Sequence, residues 1–292
     1  MIPRTTHTEE RPPVIAVLGH VDHGKSPLLD YIRKANTVSR EAGGITQHVA
    51  AYEVEHDLPA GRQDAQGAKK RITFIDTPGH AAFQAIRARG AKLAAIAILV
   101  VAADAGVKTQ TLEALESIRA ANTPFIVAIN TIDKPNADIA RAQASLMEKD
   151  VFLETLGGDV PWTAVSAKTG QGVGELLDLI LIVAELAEFK ADKDAQATGY
   201  VVEANRDPKR GIAATLIITN GTVEAGGAVL AGRSIAPVRI MEDHLGKRLK
   251  QASFSTPVRL VGFDELPQVG AAFTSFKNKK EAEAAREALA PE

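Results

Sequence analysis

A stretch near the start of the chain has the residue types and spacing of a phosphate-binding loop. It reads Gly19-His20-Val21-Asp22-His23-Gly24-Lys25-Ser26. Glycines at both ends let the backbone turn so that successive N–H groups face an anion. Lys25 would reach the β- and γ-phosphates of a nucleotide, and the Ser26 hydroxyl would bind Mg²⁺. The stretch therefore predicts a site for a nucleoside triphosphate and its metal ion.

The flanking segments favour this interpretation over a glycine-rich turn that binds nothing. Residues 14–18 are apolar and predict a strand, whereas residues 28–33 are amphipathic and predict a helix. A phosphate loop needs this order of strand, loop and helix. The helix also directs the positive end of its dipole at the loop, which favours an anion there.

A second predicted strand ends in residues that could complete the phosphate site. Asp76 stands where a carboxylate can hold Mg²⁺ through water. Gly79 could offer its backbone N–H to the γ-phosphate without steric obstruction. On its own, Asp76-Thr77-Pro78-Gly79 would be an ordinary turn. The phosphate loop upstream favours the metal-binding role.

Two further loops contain side chains that could recognise a base. Asn130 and Asp133 follow one predicted strand, and Ser166, Ala167 and Lys168 follow the next. The Asp133 carboxylate could accept hydrogen bonds from N1–H and the 2-amino group of guanine, donors that adenine lacks. Ser166-Ala167-Lys168 could support the base through a backbone N–H. Asn and Asp after a strand are also ordinary turn residues, so this loop alone indicates little.

The elements that must position these loops predict an α/β fold, a nucleotide-binding domain with a mostly parallel sheet and helices on both faces. Strands and helices alternate along the first two thirds of the chain. The predicted strands are residues 14–18, 51–57, 71–75, 96–102, 125–129 and 162–165. The predicted helices are residues 28–33, 81–89, 110–119, 139–149 and 175–187.

The last third of the chain has a different pattern, in which short apolar runs are separated by turn dipeptides. These runs are residues 199–204, 213–219, 228–230, 235–241, 258–262 and 272–275. They predict a small antiparallel β-barrel. We therefore expect a flexible tail over 1–12, a GTP-binding domain over 13–190, a linker over 191–198, the barrel over 199–276 and the start of a connecting helix over 277–292.

Composition excludes several classes of protein. Lys plus Arg number 34 against 36 Asp plus Glu, so a bulk electrostatic affinity for nucleic acid is not expected. Cysteine is absent, which excludes disulfides and thiolate metal sites. The polar N-terminus does not resemble a signal peptide, and the longest apolar run, residues 93–103, is too short to span a bilayer. We expect a soluble cytoplasmic monomer with no membrane partner.

Four segments in this order resemble the translational GTPases, and among them the family of bacterial translation initiation factor 2. The resemblance covers nearly the whole chain, and residues 255–258 and 266–270 look like the family's second domain, a β-barrel. The four segments are Gly19-His20-Val21-Asp22-His23-Gly24-Lys25, Glu41-Ala42-Gly43-Gly44-Ile45-Thr46-Gln47-His48, Asp76-Thr77-Pro78-Gly79-His80-Ala81-Ala82-Phe83 and Ser166-Ala167-Lys168-Thr169-Gly170-Gln171-Gly172.

The resemblance implies a GTPase that binds GTP and GDP with Mg²⁺. Thr46 would close on Mg²⁺ and the γ-phosphate in the GTP state, beside Ser26 and Asp76 as metal-binding residues. His80 would position the attacking water. Val21 and Ile45 look like the apolar gate that keeps this histidine from the water until the ribosome reorients it.

The same resemblance implies a role in initiation and in the joining of ribosomal subunits. The expected partners are the GTPase-activating region of the large subunit and, through the barrel, the small subunit. The family recognises initiator tRNA with domains beyond a connecting helix, so initiator tRNA is not expected to bind residues 1–292.

Two departures from the family pattern leave a second hypothesis open. Pro27 replaces a hydroxyl residue and removes an N–H that in this family reaches the α-phosphate. Thr131 replaces a lysine whose stem covers one face of the purine. Both should weaken nucleotide binding. The alternative is a nucleotide-impaired module that only docks on the ribosome, with Lys247-Arg248-Leu249-Lys250 as a contact patch.

Overall fold

The computed structural model describes residues 8–37, 50–58, 69–75 and 94–289. The helices in these ranges are α1 (Lys25–Thr37), α2 (Thr109–Ala120), α3 (Ile139–Met147), α4 (Val173–Leu186) and α5 (Lys279–Glu287). The first strands are β1 (Thr8–Glu10), β2 (Val14–Gly19), β3 (Ala51–Asp57), β4 (Lys69–Ile75), β5 (Ile96–Ala102), β6 (Phe125–Asn130), β7 (Trp162–Ala164) and β8 (Lys190–Asp192).

The remaining strands follow in the last third of the chain. They are β9 (Thr198–Asp207), β10 (Gly211–Asn220), β11 (Thr222–Glu224), β12 (Ala228–Ala231), β13 (Ser234–Pro237), β14 (Ile240–Glu242), β15 (Gln251–Ser253), β16 (Pro257–Phe263) and β17 (Ala272–Phe276).

The predicted α/β sheet is confirmed. Among the described residues it has six strands in the order β3-β4-β2-β5-β6-β7. The pair β3–β4 is antiparallel and the other pairs are parallel. Every residue of β5 is buried, as expected for the centre of a sheet that is covered on both faces. The carboxyl ends of β2, β5, β6 and β7 therefore lie along one edge, which is where open α/β sheets bind ligands.

Helices cover both faces of this sheet. On one face, Leu28 and Ile32 of α1 and Leu176 of α4 pack in a single apolar cluster with the sheet. On the other, Leu115 of α2 and Leu146 of α3 belong to a second cluster. The helix predicted over residues 81–89 lies outside the described residues.

The last third of the chain forms a curled antiparallel sheet around its own apolar core. In the described residues this sheet has seven strands, in the order β13-β12-β17-β9-β10-β16-β14, and β11 pairs separately with β15. The Asp264 N–H donates to the Ile235 carbonyl at 3.0 Å, and the Ile235 N–H donates to the Asp264 carboxylate at 2.7 Å. These two bonds bring β13 against the end of β16, so the sheet curls into the half-barrel of the predicted second domain.

The single strand predicted over residues 235–241 is wrong. The structure splits it into β13 and β14, which pair with different partners, β12 and β16. Pro237 ends β13 because proline has no N–H to donate to a ladder.

The segments predicted as a tail and a linker contain paired strands. Within 1–12, β1 pairs antiparallel with β8, whose last two residues fall in the predicted linker. The Arg11 guanidinium lies over the Phe189 ring, 5.8 Å from its centroid. Strands this short and polar show no alternation, so the sequence pattern could not indicate them.

The final described helix packs against the curled sheet. Asn278 caps α5 by accepting a hydrogen bond from the Glu281 N–H. Ala282 is fully buried, in a cluster with Leu230 and Ile235. Throughout the described ranges, no helix combines the length and apolarity needed to cross a bilayer.

Candidate nucleotide site

The phosphate loop connects β2 to α1 in the predicted way. Gly19 has φ +136°, and a Cβ there would collide with the Val100 carbonyl of β5. Gly24 has φ +79°, and a Cβ there would collide with the Asn130 side-chain amide. Only glycine fits either position. The chain therefore enters α1 at Lys25, and the N–H groups of Lys25 and Ser26, at the start of its first turn, lie at the edge of the sheet.

The Lys25 ammonium lies inside the loop. Its Nζ atom donates to the Gly19 carbonyl at 2.7 Å and to the His20 carbonyl at 2.6 Å. Burial lowers the pKa of Lys25 from its ordinary value. The two carbonyls hold the ammonium inside the loop beside the start of α1, and this position suits a phosphate partner. Ser26 is exposed one residue further along α1.

His23 supports the loop from below. Its ring is fully buried, and its Nδ1 atom lies 3.2 Å from the Val100 carbonyl. Because a carbonyl can only accept, Nδ1 carries the hydrogen. Burial is the main reason that the pKa of His23 is lowered, so the ring is neutral near pH 7. The imidazole therefore links the loop to β5. His23, which the sequence predicts as a nucleotide-binding residue, lies beneath the loop with its ring buried.

Asn130 connects three loops. Its Nδ2 atom donates to the His23 carbonyl at 2.9 Å and to the Gly24 carbonyl at 3.3 Å. Its Oδ1 atom accepts from the Ala167 N–H at 3.1 Å. Asn130 is 1% exposed, so these bonds form away from water. The predicted phosphate and base segments are thus held together by one side chain.

The carboxylate of Asp133, which the sequence predicts as the base acceptor, is held by a serine. The buried Ser166 hydroxyl donates to Asp133 Oδ1 at 2.7 Å and accepts from the Thr169 N–H. This hydrogen bond is the main cause of a lowered pKa at Asp133, which is exposed and therefore ionised at neutral pH. Each carboxylate oxygen can accept two hydrogen bonds, so the bond from Ser166 leaves acceptor capacity on both oxygens of Asp133. Lys168 is exposed beside it.

Val21 stands at the outer rim of the phosphate loop. Its side chain is 69% exposed, and its backbone N–H donates to Gln110 Oε1 at 3.0 Å. Asp22 is also exposed at this rim. Gln110 belongs to α2, and nothing in the sequence pattern indicated its contact with the loop.

The remaining predicted site residues lie outside the described ranges. They are Ile45, Thr46, Asp76, Gly79 and His80. The described part of the site thus contains the phosphate loop and the two base loops. Sequence reasoning missed two of its residues, Gln110 and Asp104, whose carboxylate accepts from the Thr131 hydroxyl. Ile75 pairs with Ala16 in the parallel ladder, so β4 ends near the edge at which β2 enters the phosphate loop.

Comparison with protein families matches both parts of the chain. Residues 10–185 match the elongation factor Tu GTP binding domain, and residues 196–276 match elongation factor G domain 2. The first match alone covers more than half of the chain. The predicted resemblance is thereby confirmed for the GTP-binding part.

Individual relatives have the name that the sequence motifs suggested. A protein named translation initiation factor IF-2 from Rubrobacter xylanophilus is 51% identical over 94% of this chain and 38% of its own length. One of the same name from Shouchella clausii is 48% identical over 96% of this chain and 36% of its own length. The chain therefore spans little more than a third of the length of these relatives.

A solved structure supports the same grouping. GDP-bound aIF5B from Aeropyrum pernix matches with a TM-score of 0.75 and 28% identity, over 96% of this chain and 56% of that one. Because the match extends over 96% of this chain, it includes both the α/β sheet and the curled antiparallel sheet described above. On the strength of its GTP-binding domain, this chain belongs to the translational GTPases, the family of the elongation factor Tu GTP binding domain.

Proposed function

We propose that this chain is the GTPase core of a bacterial translation initiation factor, which binds GTP and GDP with Mg²⁺ and hydrolyses GTP slowly until the ribosome stimulates it. The observation that carries the proposal is the position of Asn130, whose amide joins the phosphate loop to the loop of Ala167. A nucleotide spans these two regions, phosphates at one and base at the other. One buried side chain therefore fixes the spacing that a guanine nucleotide needs.

The donors that face this edge fit the predicted ligand. Lys25 supplies a positive charge for the β- and γ-phosphates, and the first turn of α1 supplies N–H groups. Asp133 supplies an ionised acceptor for the two guanine donors. Lys25 and Asp133 can make these contacts from their present positions. Nucleotide binding therefore needs little reorganisation of the described loops.

Magnesium fits the residue types at this edge. Mg²⁺ prefers hard oxygen donors, and the exposed Ser26 hydroxyl at the start of α1 is one. Asp76 follows β4 directly in the chain, and we propose that it and Thr46 complete the set. When bound, the ion would neutralise charge that develops on the phosphates.

Hydrolysis is proposed to depend on His80, which would position the attacking water. Val21 would form the gate with Ile45 before ribosome binding, and its exposed side chain at the loop rim suits that role. The ribosome would then act on the gate and on His80. This account explains why turnover by the free chain is proposed to be slow.

The curled sheet, predicted as a barrel, is the proposed contact with the small ribosomal subunit. Lys247, Arg248 and Lys250 are exposed on the turn between β14 and β15. The large subunit would contact the GTP-binding part, and initiator tRNA is not proposed as a ligand of residues 1–292. As a translation factor, the protein would work in the cytoplasm, as a monomer.

A docking module without effective GTPase activity is not favoured. Pro27 lies in the first turn of α1, where its missing N–H costs the helix nothing, and the Leu28 N–H still donates to the Gly24 carbonyl at 3.0 Å. Asp133 also keeps its bond to Ser166 beside the altered Thr131. The two departures therefore leave the described contacts of the site in place.

Titration with a fluorescent GDP analogue tests the binding proposal. We expect saturable binding at micromolar nucleotide, competed by GTP far better than by ATP. Asp133→Asn should relax this preference, because an amide cannot accept both guanine donors. No saturable binding, or GTP-over-ATP selectivity unchanged in Asp133→Asn, would contradict it.

Turnover assays test the catalytic proposal. Ribosomes should accelerate GTP hydrolysis, and His80→Ala should abolish the acceleration while GTP affinity stays nearly intact, because the histidine acts on the chemical step. A His80→Ala variant that ribosomes still stimulate would remove this residue from the mechanism.

A further inference from the structure

Thr131 has a backbone conformation that its side chain disfavours. Its φ is +65°, in the left-handed region, where a β-branched residue is a genuine outlier. It lies between Asn130, which joins the loops, and Asp133, the proposed base acceptor. Such strain persists only where surrounding contacts over-determine the conformation. Some group must therefore hold this loop against its local preference.

Asp104, on the turn after β5, is one of the described groups that do so. The Thr131 hydroxyl also lies 2.6 Å from the Asn130 carbonyl, and the Lys134 N–H donates to the Thr131 carbonyl at 3.1 Å. Asp104 Oδ1 accepts from the Thr131 hydroxyl at 2.7 Å, and Asp104 Oδ2 accepts from Lys134 Nζ at 2.8 Å. The two donors flank Asp133 in the sequence. One carboxylate therefore binds the loop on both sides of Asp133, the proposed base acceptor.

Main-chain bonds keep Asp104 in register with that loop. The Ala103 N–H donates to the Asn130 carbonyl at 2.8 Å, and the Asp138 N–H donates to the Ala103 carbonyl at 3.1 Å. The Asp104 side chain is only 16% exposed, whereas Lys134 is 42% exposed. The hydrogen bond from Lys134, followed by that from Thr131, lowers the pKa of Asp104, so the carboxylate stays ionised at neutral pH.

We propose that Asp104 is a positioning residue for guanine recognition, acting through Thr131 and Lys134 to hold Asp133 opposite Ser166. This inference rests on the proposed function, because it assigns a role within the guanine site. It also explains how the chain functions with threonine at position 131, since the hydroxyl gives the loop a fixed attachment in place of a lysine stem.

Inosine diphosphate separates positioning from general support. Inosine lacks the 2-amino group, so it offers Asp133 one donor where guanine offers two. Both nucleotides make the same phosphate contacts. A misplaced Asp133 should therefore reduce GDP affinity more than IDP affinity, whereas a general loosening of the fold should weaken both equally.

The experiment is competition of unlabelled GDP and IDP against a fluorescent GDP analogue. Wild type should prefer GDP. Asp104→Ala should weaken GDP about tenfold, as expected for the loss of a charge-assisted hydrogen bond, and should move the GDP-to-IDP affinity ratio toward one. Thr131→Val keeps the branched shape without the hydroxyl and should act in the same direction. The double variant should lose less than the sum of the singles, because the bond between Thr131 and Asp104 is removed by either substitution alone.

Asp264→Asn is the matched control. Asp264 also pairs with a cation, Arg286 at 2.7 Å, and accepts backbone N–H bonds, but it lies in the curled sheet. It should change neither affinity nor the ratio. Should Asp104→Ala fail to fold, Thr131→Val and Asp104→Asn decide the question by the same ratio.

An unchanged ratio in these variants, or equal weakening of GDP and IDP, would overturn the positioning role while leaving the proposed function intact. Absence of GDP binding by the wild type would instead refute the proposed function, and the role of Asp104 would fall with it.

Discussion

Replacing Asn130 by alanine should damage both stability and nucleotide binding. The substitution removes the donor to the His23 and Gly24 carbonyls and the acceptor for the Ala167 N–H. It leaves the His23 carbonyl and the Ala167 N–H without this partner at a position where the side chain is only 1% exposed, whereas the Gly24 carbonyl keeps its bond from the Leu28 N–H. A buried polar group that loses its partner costs about 1–3 kcal/mol.

The expected magnitude follows from the geometry of the three bonds. The 2.9 Å bond to His23 and the 3.1 Å bond from Ala167 are well formed, whereas the 3.3 Å bond to Gly24 is long. Two good bonds predict a loss of about 2–4 kcal/mol in the free energy of unfolding. A typical domain has only about 5–15 kcal/mol in total, so the loss is easily measured.

Urea unfolding without nucleotide measures this loss, and GDP titration measures the effect on the site. We expect GDP affinity to fall about tenfold or more, equivalent to at least about 1.4 kcal/mol, because the phosphate and base loops are no longer held at one spacing. Unfolding is measured without ligand because bound GDP would itself stabilise the fold.

Asn220→Ala is the matched control for this experiment. Asn220 Oδ1 accepts from the Asp192 N–H at 2.8 Å, at the junction of β8 and β10, away from the nucleotide site. It should lower stability with no change in intrinsic GDP affinity. The reasoning fails if Asn130→Ala keeps wild-type GDP affinity, or if the two variants lose GDP affinity to the same extent.

Three further predictions concern other parts of the molecule. Pro27→Thr restores an N–H in the first turn of α1, so calorimetry should show GDP binding tighter by about 0.5–1.5 kcal/mol, and an unchanged affinity would mean that the proline is neutral. Burial lowers the pKa of His23, so the folded state binds fewer protons there than the unfolded chain, and unfolding free energy should fall as pH drops below about 6.5. In urea titrations at several pH values, His23→Gln should reduce this pH dependence of the unfolding free energy. The part due to His244 should remain, because burial lowers the pKa of that residue too. An equally steep pH dependence in the variant would contradict this prediction. Gel shifts at physiological salt should show no preference for initiator over elongator tRNA, and initiator-selective binding would place a recognition surface within residues 1–292.

Much of the α/β sheet could be predicted from local pattern. The strand predicted over residues 96–102 coincides with β5, because a short and fully apolar run has few alternatives to a buried strand. The glycines of the phosphate loop were equally informative, since Gly19 and Gly24 occupy positions that exclude any side chain. Signals of this kind arise from residue type alone, and they need no knowledge of distant partners.

Supporting contacts in the site could not be predicted in this way. Asp104 and Gln110 follow β5 as ordinary turn and helix residues, and their partners Thr131 and Val21 are 27 and 89 positions away. The role of His23 was also hidden, because its partner is a main-chain carbonyl of β5. A carbonyl has no sequence signature, so such bonds become visible only in three dimensions.

The contacts that join the α/β sheet to the curled sheet also could not be predicted from the sequence pattern. Ser255 is fully buried with φ +64°; its carbonyl accepts from the Thr73 hydroxyl of β4 at 2.7 Å, and its own hydroxyl donates to the Pro12 carbonyl at 2.6 Å. Val202 and Ile217 of the curled sheet pack in one cluster with Ala51, Ile75 and Val14. The curled sheet is therefore fastened to β3 and β4, the strands that border residues 38–49 and 76–93 in the chain. Displacement of β3 or β4 would strain their buried contacts with the curled sheet, and a force on the curled sheet would act on these strands in turn. The ranges next to these strands contain Thr46, Asp76 and His80.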